Sequence, residues 1–189
     1  MDISRLFDDA RTYNAYEDRP IAADLLRKIY DHAKWGPTAA NTCPARFVFV
    51  ASAEAKARLG ACVSAGNIAK VASAPVTVIV AGDSRFYDEM PKLFPSRDYR
   101  SVFADKAELV ADMLARNVPL QGAYLMIAAR GLGLDCGPMS GFDAEKLNAA
   151  FFPDGRWQAN FICTLGYGRE DSLFPRNPRL GFEDACRIV

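Results

Sequence analysis

Histidine is almost missing from this sequence: His32 is the single one in 189 residues. A Ser-His-Asp arrangement or a Cys/His metal cage would have to rest on it. It sits in a stretch with helical periodicity, with no cysteine or paired acid at ligand spacing, and reads as an ordinary helix-face residue. Paired cysteine is missing too. The cysteines, Cys43, Cys62, Cys136, Cys163 and Cys186, number 5, and no two share a C-x-x-C spacing. This is the pattern of reduced thiols in a cytoplasmic protein. Charge of one sign is not in excess: Lys plus Arg and Asp plus Glu each total 23. No global field therefore draws in nucleic acid or an anionic membrane. No apolar run is long enough to cross a bilayer. Charges interrupt the apolar positions from Met1 to Asp9, so no secretory signal is expected there. Gly131-Leu132-Gly133-Leu134-Asp135 is not G-x-G-x-x-G and precedes a predicted strand, which argues against a Rossmann nicotinamide site. A phosphate-loop motif and a G-x-S-x-G nucleophile elbow are also lacking.

What is present suits one compact domain over residues 1–189, since 50% of the residues are hydrophobic. Residues 3–9 predict a short amphipathic helix. Leu25, Leu26, Ile29, Tyr30 and Ala33 recur at helical spacing within 22–35, and Pro37 ends that helix. Arg46–Val50 is a short β-rich run. Ser52 is a natural N-cap for a helix over 53–62, with Glu54 near its positive end. Pro75–Ala81 is the clearest strand, and its unbroken apolarity predicts a sheet covered on both faces. Residues 83–104 read as a long irregular segment rich in aromatics, a length usually reserved for functional loops. A long helix follows over about 105–131, then a strand over 134–139, a helix over 143–151 and a strand over 158–168. The tail from Ser172 to Val189 is too rich in Pro and Arg to pack alone. Alternating helices and strands indicate a mixed domain with helices on both sheet faces.

Several segments have the composition of a ligand site, each with a plain structural alternative. Arg11-Thr12 can give charge-assisted hydrogen bonds to a phosphate, or can be a surface arginine at the start of a strand. The run from Trp35 to Phe47 brackets small polar residues with Gly and Pro, which suits close approach to a flat ring or simply joins a helix to a strand. Asn67 and Lys70 stand three apart, on one side of a helical turn. A lysine there could stabilise charge on a reduced cofactor ring, or could just be solvated. Gly137-Pro138-Met139-Ser140-Gly141-Phe142-Asp143 ends a strand before a helix, a favoured ligand position, and is equally a tight turn with Asp143 as N-cap.

In this order and spacing the segments resemble the nitroreductase family over nearly the whole chain. Arg11-Thr12 matches the R-S of the family's R-R-S-x-R phosphate motif. Gly36-Pro37-Thr38 through Pro44, with Arg46-Phe47, is similar to P-S-x-x-N-x-Q-P-x-x-F. Asn67 and Lys70 match N-x-x-K before a central strand. Gly133-Leu134-Asp135 with Pro138–Phe142 looks like the strand and turn facing the flavin N5, and Arg176 with Arg179 resembles the basic pair near the carboxyl terminus. Asn14 stands where many members have a second basic residue, Cys43 replaces a glutamine, and Ser140 replaces a glutamate common in nitro-reducing members. Within the family, Trp35–Thr38, Pro44–Val50, Gly137–Asp143, Ala150–Phe152, Leu173–Arg176 and Pro178–Leu180 are closest in wording to the malonic semialdehyde reductase branch of pyrimidine degradation.

The resemblance implies an α+β sandwich, with a mostly antiparallel four- to five-stranded sheet flanked by helices, in an intertwined homodimer. It implies FMN as cofactor, NAD(P)H as transient hydride donor, and ping-pong reduction of a small acceptor, malonic semialdehyde to 3-hydroxypropionate. Arg11, Thr12, Asn14, Arg176 and Arg179 would hold the phosphate. Asn67, Lys70, Pro138, Met139, Ser140 and Gly141 would face the ring, with Lys70 steadying the reduced ring and Ser140 offering its backbone N–H as the catalytic contacts. Pro37, Thr38 and Asn41, with Asn117 from the long helix, would come from the partner. Segment 83–104 would cover the site, and 172–189 would wrap the partner. An acidic acceptor would need a cation, for which Arg46, Arg97, Arg100 and Arg116 are the candidates. A general nitro- or quinone reductase and a non-catalytic flavin-binding protein are the competing functions.

Overall fold

The computed structural model describes residues 3–189; Met1 and Asp2, part of the amino-terminal stretch read above, lie outside the described residues. Helix α1 is a single turn, Ile3–Leu6. Helix α2, Ala23–Ala33, buries Ile29 and Ala33 one turn apart, as its apolar spacing predicts. Strand β1 (Ala45–Val50) leads to α3 (Ala53–Gly60), where the Ser52 hydroxyl accepts the Ala55 N–H at 3.1 Å. Helix α4 (Ala65–Ser73) precedes β2 (Val76–Asp83). Two short helices, α5 (Met90–Leu93) and α6 (Arg100–Phe103), come before the long α7 (Ala107–Gly131). Strand β3 (Asp135–Met139), α8 (Ala144–Phe151), β4 (Trp157–Gly166) and α9 (Phe182–Ala185) complete the order. Asp143 caps α8 by accepting the Lys146 N–H at 3.0 Å.

The strands form one antiparallel sheet in the order β1-β2-β4-β3. Every residue of β2 is buried, because β2 is interior in the sheet and both sheet faces are covered. Its side chains alternate between layers. Val78 and Val80 pack with Ile29, Val118 and Leu125 beneath α2 and α7, whereas Ile79 and Ala81 pack with Leu59, Val71 and Leu147 beneath α3, α4 and α8. The expected α+β architecture is thus observed, with four strands among the described residues. Strand β3 contains Pro138, tolerated because β3 is an edge.

One expectation is corrected. Segment 83–104 is not irregular: a 3-10 turn at Phe86–Glu89, α5 and α6 give it regular structure. Its aromatics make a third apolar cluster with Val110, in which the Phe86 and Phe103 rings meet edge-on at 5.1 Å. Aromatic content that read as a ligand cover serves in large part to fold the segment onto α7. The tail is extended and exposed apart from brief turns, and presents Phe174, Leu180, Phe182 and Ile188 to solvent. No helix among the described residues is long and apolar enough to cross a membrane.

Candidate functional site

The turn between α2 and β1 is held in an unusual backbone form. Ala40, Asn41 and Cys43 have φ of 49°, 52° and 40°, in the left-handed region that non-glycine residues enter at a cost of roughly 1–2 kcal/mol each. The surrounding side chains enforce it. Asn117 accepts the Ala39 N–H at 2.8 Å, Thr38 Oγ1 accepts the Cys43 N–H at 3.1 Å, and Asn41 Nδ2 donates to the Leu93 carbonyl at 2.9 Å. One turn beyond Asn117 on α7, Gln121 accepts the Ala45 N–H at 2.8 Å. Gly36 is needed because a Cβ there would lie 2.0 Å from the Tyr124 ring, whose hydroxyl donates to the Pro37 carbonyl. Pro37 is exposed and Thr38 half-buried.

Asn117 therefore requires a correction. It is 1% exposed, and its Nδ2 donates to the Met113 carbonyl while its Oδ1 holds Ala39. Its amide is spent inside its own chain and positions the turn; it is not free to reach a ring on another subunit. Gln121 was not singled out from the sequence, although its i+4 spacing from Asn117 was a usable signal.

A second cluster joins α4 to the turn after β3. Asn67 Nδ2 donates to the Gly141 carbonyl at 3.0 Å, and the Ser64 N–H reaches the same oxygen at 2.9 Å. The Asp143 N–H donates to the Cys62 carbonyl at 2.8 Å, closing the staple. A Cβ on Gly141 would lie 2.6 Å from Asn67 Nδ2, so the amide would have to swing aside and lose its bond. Lys70, one helical turn past Asn67, is half-buried, and its ammonium makes no hydrogen bond or ion pair among the described residues. Met139 is half-buried, while Pro138 and Ser140 are exposed. The structure thus joins Asn67 to Gly141, and Lys70 follows Asn67 on the same helix.

The third feature is a crevice of about 710 Å³ lined by Arg11, Thr12, Asn14, Arg130, Arg176 and Arg179, together with Phe7, Asp8 and Phe174. Arg11 Nη2 donates to the Phe174 carbonyl. Arg176 Nη2 donates to the Asp8 and Ala10 carbonyls at 2.6 and 3.0 Å, and Arg179 Nη1 to the Asn177 and Pro178 carbonyls at 3.0 and 3.1 Å. None of these guanidinium groups, nor that of Arg130, forms an ion pair among the described residues. Asn14 lines the crevice, but its Nδ2 is committed to the Ser172 carbonyl at 2.8 Å. No hydrogen bond among the described residues joins the 37–41 turn to Asn67, Lys70 or this crevice.

The candidate substrate arginines differ in how far they are engaged. Arg46 pairs with buried Asp83 at 2.8 Å and lines a separate crevice of about 610 Å³ with Tyr30, Trp35 and Lys92. Arg156 clamps the same carboxylate with paired bonds of 2.8 and 2.9 Å. Burial alone would push the Asp83 carboxyl up, but hydrogen bonds from Arg156 and the Arg85 N–H, with the Arg46 charge, hold it below its ordinary value. Arg100 pairs with Asp88 and Arg116 with Asp112. Arg97 has no carboxylate partner and lies 5.0 Å over the Tyr99 ring.

These features define an α+β protein with an unpaired cationic crevice, a strained polar turn and a stapled strand-end turn. The sequence pattern of the nitroreductase family matches residues 9–167, so the chain belongs to the nitroreductase family and is an oxidoreductase. It is 58% identical over 187 residues to a Rhodopseudomonas palustris protein with the provisional name NADH dehydrogenase/NAD(P)H nitroreductase, covering 99% of this chain and 95% of that one. A similarly named Ralstonia nicotianae protein is 58% identical over 188 residues, covering 99% and 96%. A provisionally named nitroreductase from Exiguobacterium sibiricum 255-15, solved in complex with FMN, superposes with a TM-score of 0.86 at 20% identity, covering 100% of this chain and 98% of that one.

Proposed function

We propose that this chain is an FMN-dependent NAD(P)H oxidoreductase that works as a homodimer, with malonic semialdehyde as its acceptor. The observation that carries the flavin reading is the crevice in which Arg11, Arg176 and Arg179 converge with no carboxylate partner. Arginines satisfied only by carbonyls can exchange them for the stronger charge-assisted bonds of a phosphate. The residues present fit the cofactor: guanidinium groups for its phosphate, and the unpaired Lys70 ammonium beside the Asn67–Gly141 staple for its ring. FMN, when bound, supplies two-electron hydride chemistry. Lys70 would offset negative charge gathering at the ring, Ser140 would present its N–H, and Asn67 would fix the turn that carries Ser140. Thr12 would add a hydroxyl beside Arg11. The names of the Rhodopseudomonas and Ralstonia relatives support NAD(P)H as donor.

The homodimer has two supports. The 37–41 turn holds a strained, polar conformation yet makes no hydrogen bond to the Lys70 cluster in its own chain, so a second copy would bring Pro37, Thr38 and Asn41 to it. The tail 172–189 exposes Phe174, Leu180 and Phe182, which a partner would cover. Residues 1–189 act as one domain, and segment 83–104, tied to the turn through Asn41 and Leu93, flanks the acceptor. The free thiols suit a reducing cytoplasm.

The acceptor rests on the sequence resemblance to the malonic semialdehyde branch. Arg97, alone among the candidate arginines in lacking a carboxylate partner, is the choice for the substrate acid. The relatives' names speak of a nitroreductase and support the competing reading, a general nitro- or quinone reductase of the same fold. Anaerobic mixing of the yellow protein with NADPH tests the flavin reading: bound flavin should bleach, and a flavin that stays oxidised makes the protein a carrier. Steady-state rates then separate the acceptors. Nitrofuran turnover equal to or above that of malonic semialdehyde would remove the aldehyde assignment.

A further inference from the structure

We propose that Arg130 is a ligand of the cofactor phosphate, filling the cationic place that Asn14 leaves vacant; this rests on the flavin reading above. Asn14 lines the crevice without charge, and its amide serves the tail: Nδ2 donates to the Ser172 carbonyl at 2.8 Å and its N–H to Ser172 Oγ at 3.3 Å. It thereby anchors the segment that brings Arg176 and Arg179 to the crevice, and gives no charge itself.

Arg130 lines the same crevice from the last turn of α7. A helix C-terminus favours a cation, and a long packed helix fixes where that cation stands. Nη1 donates to the Leu6 carbonyl at 2.8 Å, which pins the guanidinium from one end. Its Nε is buried and has no hydrogen-bond partner. Buried donors are nearly always satisfied, so an unpaired one on a ligand-lining residue points to a missing acceptor. Nη2, which no acceptor among the described residues engages and which is not buried, is the arm of the guanidinium fork open to a phosphate oxygen. Asp135 feels the Arg130 charge but makes no ion pair with it, and takes the Gly168 N–H at 2.8 Å instead.

The test compares FMN with riboflavin, which lacks the phosphate. Flavin-freed wild type, Arg130→Gln, Arg130→Lys and, as reference, Arg176→Gln are titrated with each flavin by fluorescence quenching. Arg130→Gln should weaken FMN binding by about tenfold or more and leave riboflavin binding within about twofold, as expected when a charge-assisted phosphate contact is lost. Equal loss for both flavins would assign Arg130 to holding α1 through Leu6 and overturn the inference, as would no loss for either. Should Arg130→Gln fail to fold, Arg130→Lys decides: a narrowed FMN-over-riboflavin preference supports the role, and an unchanged one removes it. A wild type that binds neither flavin overturns the flavin reading itself, whereas a wild-type preference for FMN that Arg130→Gln retains overturns only the Arg130 assignment.

Discussion

The side-chain oxygen of Asn117 receives the backbone N–H of Ala39 at 2.8 Å, across a separation of 78 positions. A buried residue of the long helix thus sets the conformation of a surface turn. The turn contains left-handed residues that are not glycine, so it holds its shape only while such clamps persist.

Replacing Asn117 by Ala should cost about 1–3 kcal/mol, because the Ala39 N–H loses its acceptor and a small cavity opens. Denaturant unfolding would show this as a lower midpoint. Flavin reduction by NADPH should slow as well, since the turn relaxes; a variant as stable and as fast as wild type would remove Asn117 from any positioning role.

Asp83 and Asp135 should tilt the pH dependence of stability in opposite directions. Asp83 is fully buried and its folded-state pKa is depressed, so its contribution is complete above the unfolded value, about 3.9, and is lost as pH falls through the lower folded value. Burial pushes the Asp135 carboxyl up against the partial relief of the Gly168 N–H, Arg130 and Arg5. Its contribution is present below the unfolded value and is lost as pH rises through the raised one. Asp83→Asn should destabilise the protein at neutral pH by about 3 kcal/mol, because Arg46 and Arg156 lose their shared anion. Asp135→Asn keeps an acceptor for Gly168 and should be neutral or stabilising at pH 7. Melting temperatures of the single variants, followed from acid to mildly alkaline pH on both sides of the unfolded carboxylate value of about 3.9, test both signs.

Lys70→Met should leave the melting temperature nearly unchanged, because the ammonium holds nothing in the fold. Reduction of bound flavin should slow by about tenfold to a hundredfold, the scale seen when a charge-stabilising donor is removed. Stopped-flow bleaching measures it, and an unaltered rate would show that Lys70 does not face the ring.

Gly141→Ala should break the staple between α4 and the β3–α8 turn, as the new methyl would press on Asn67 at 2.6 Å. Loss of about 1–3 kcal/mol and weaker flavin binding are expected together. Ser140→Ala, which keeps the backbone N–H, should bind and turn over much as wild type does. A large loss there would give the hydroxyl a role of its own.

Much of the local structure was legible before the fold was known. The alternation hidden in Val76–Ala81 appears as two covered faces, and the caps at Ser52 and Asp143 form as their spacing predicts. These features depend on neighbours within a few residues, and sequence periodicity reports such neighbours directly. The aromatics between Phe86 and Phe103 were harder to place. Composition alone cannot separate rings that cover a ligand from rings that pack on one another.

The amino-acid order determined the helices, the strands, their caps and the glycines that make turns possible, because each is decided by contacts a few bonds long. Only the folded chain could bring Arg176 to within a hydrogen bond of the Ala10 carbonyl, 166 positions away. Folding also turned Asn117 inward and left Arg130 with an unsatisfied N–H. Those outcomes depend on which surfaces the antiparallel sheet and α7 bury against each other, and burial between distant segments leaves no local periodicity to read.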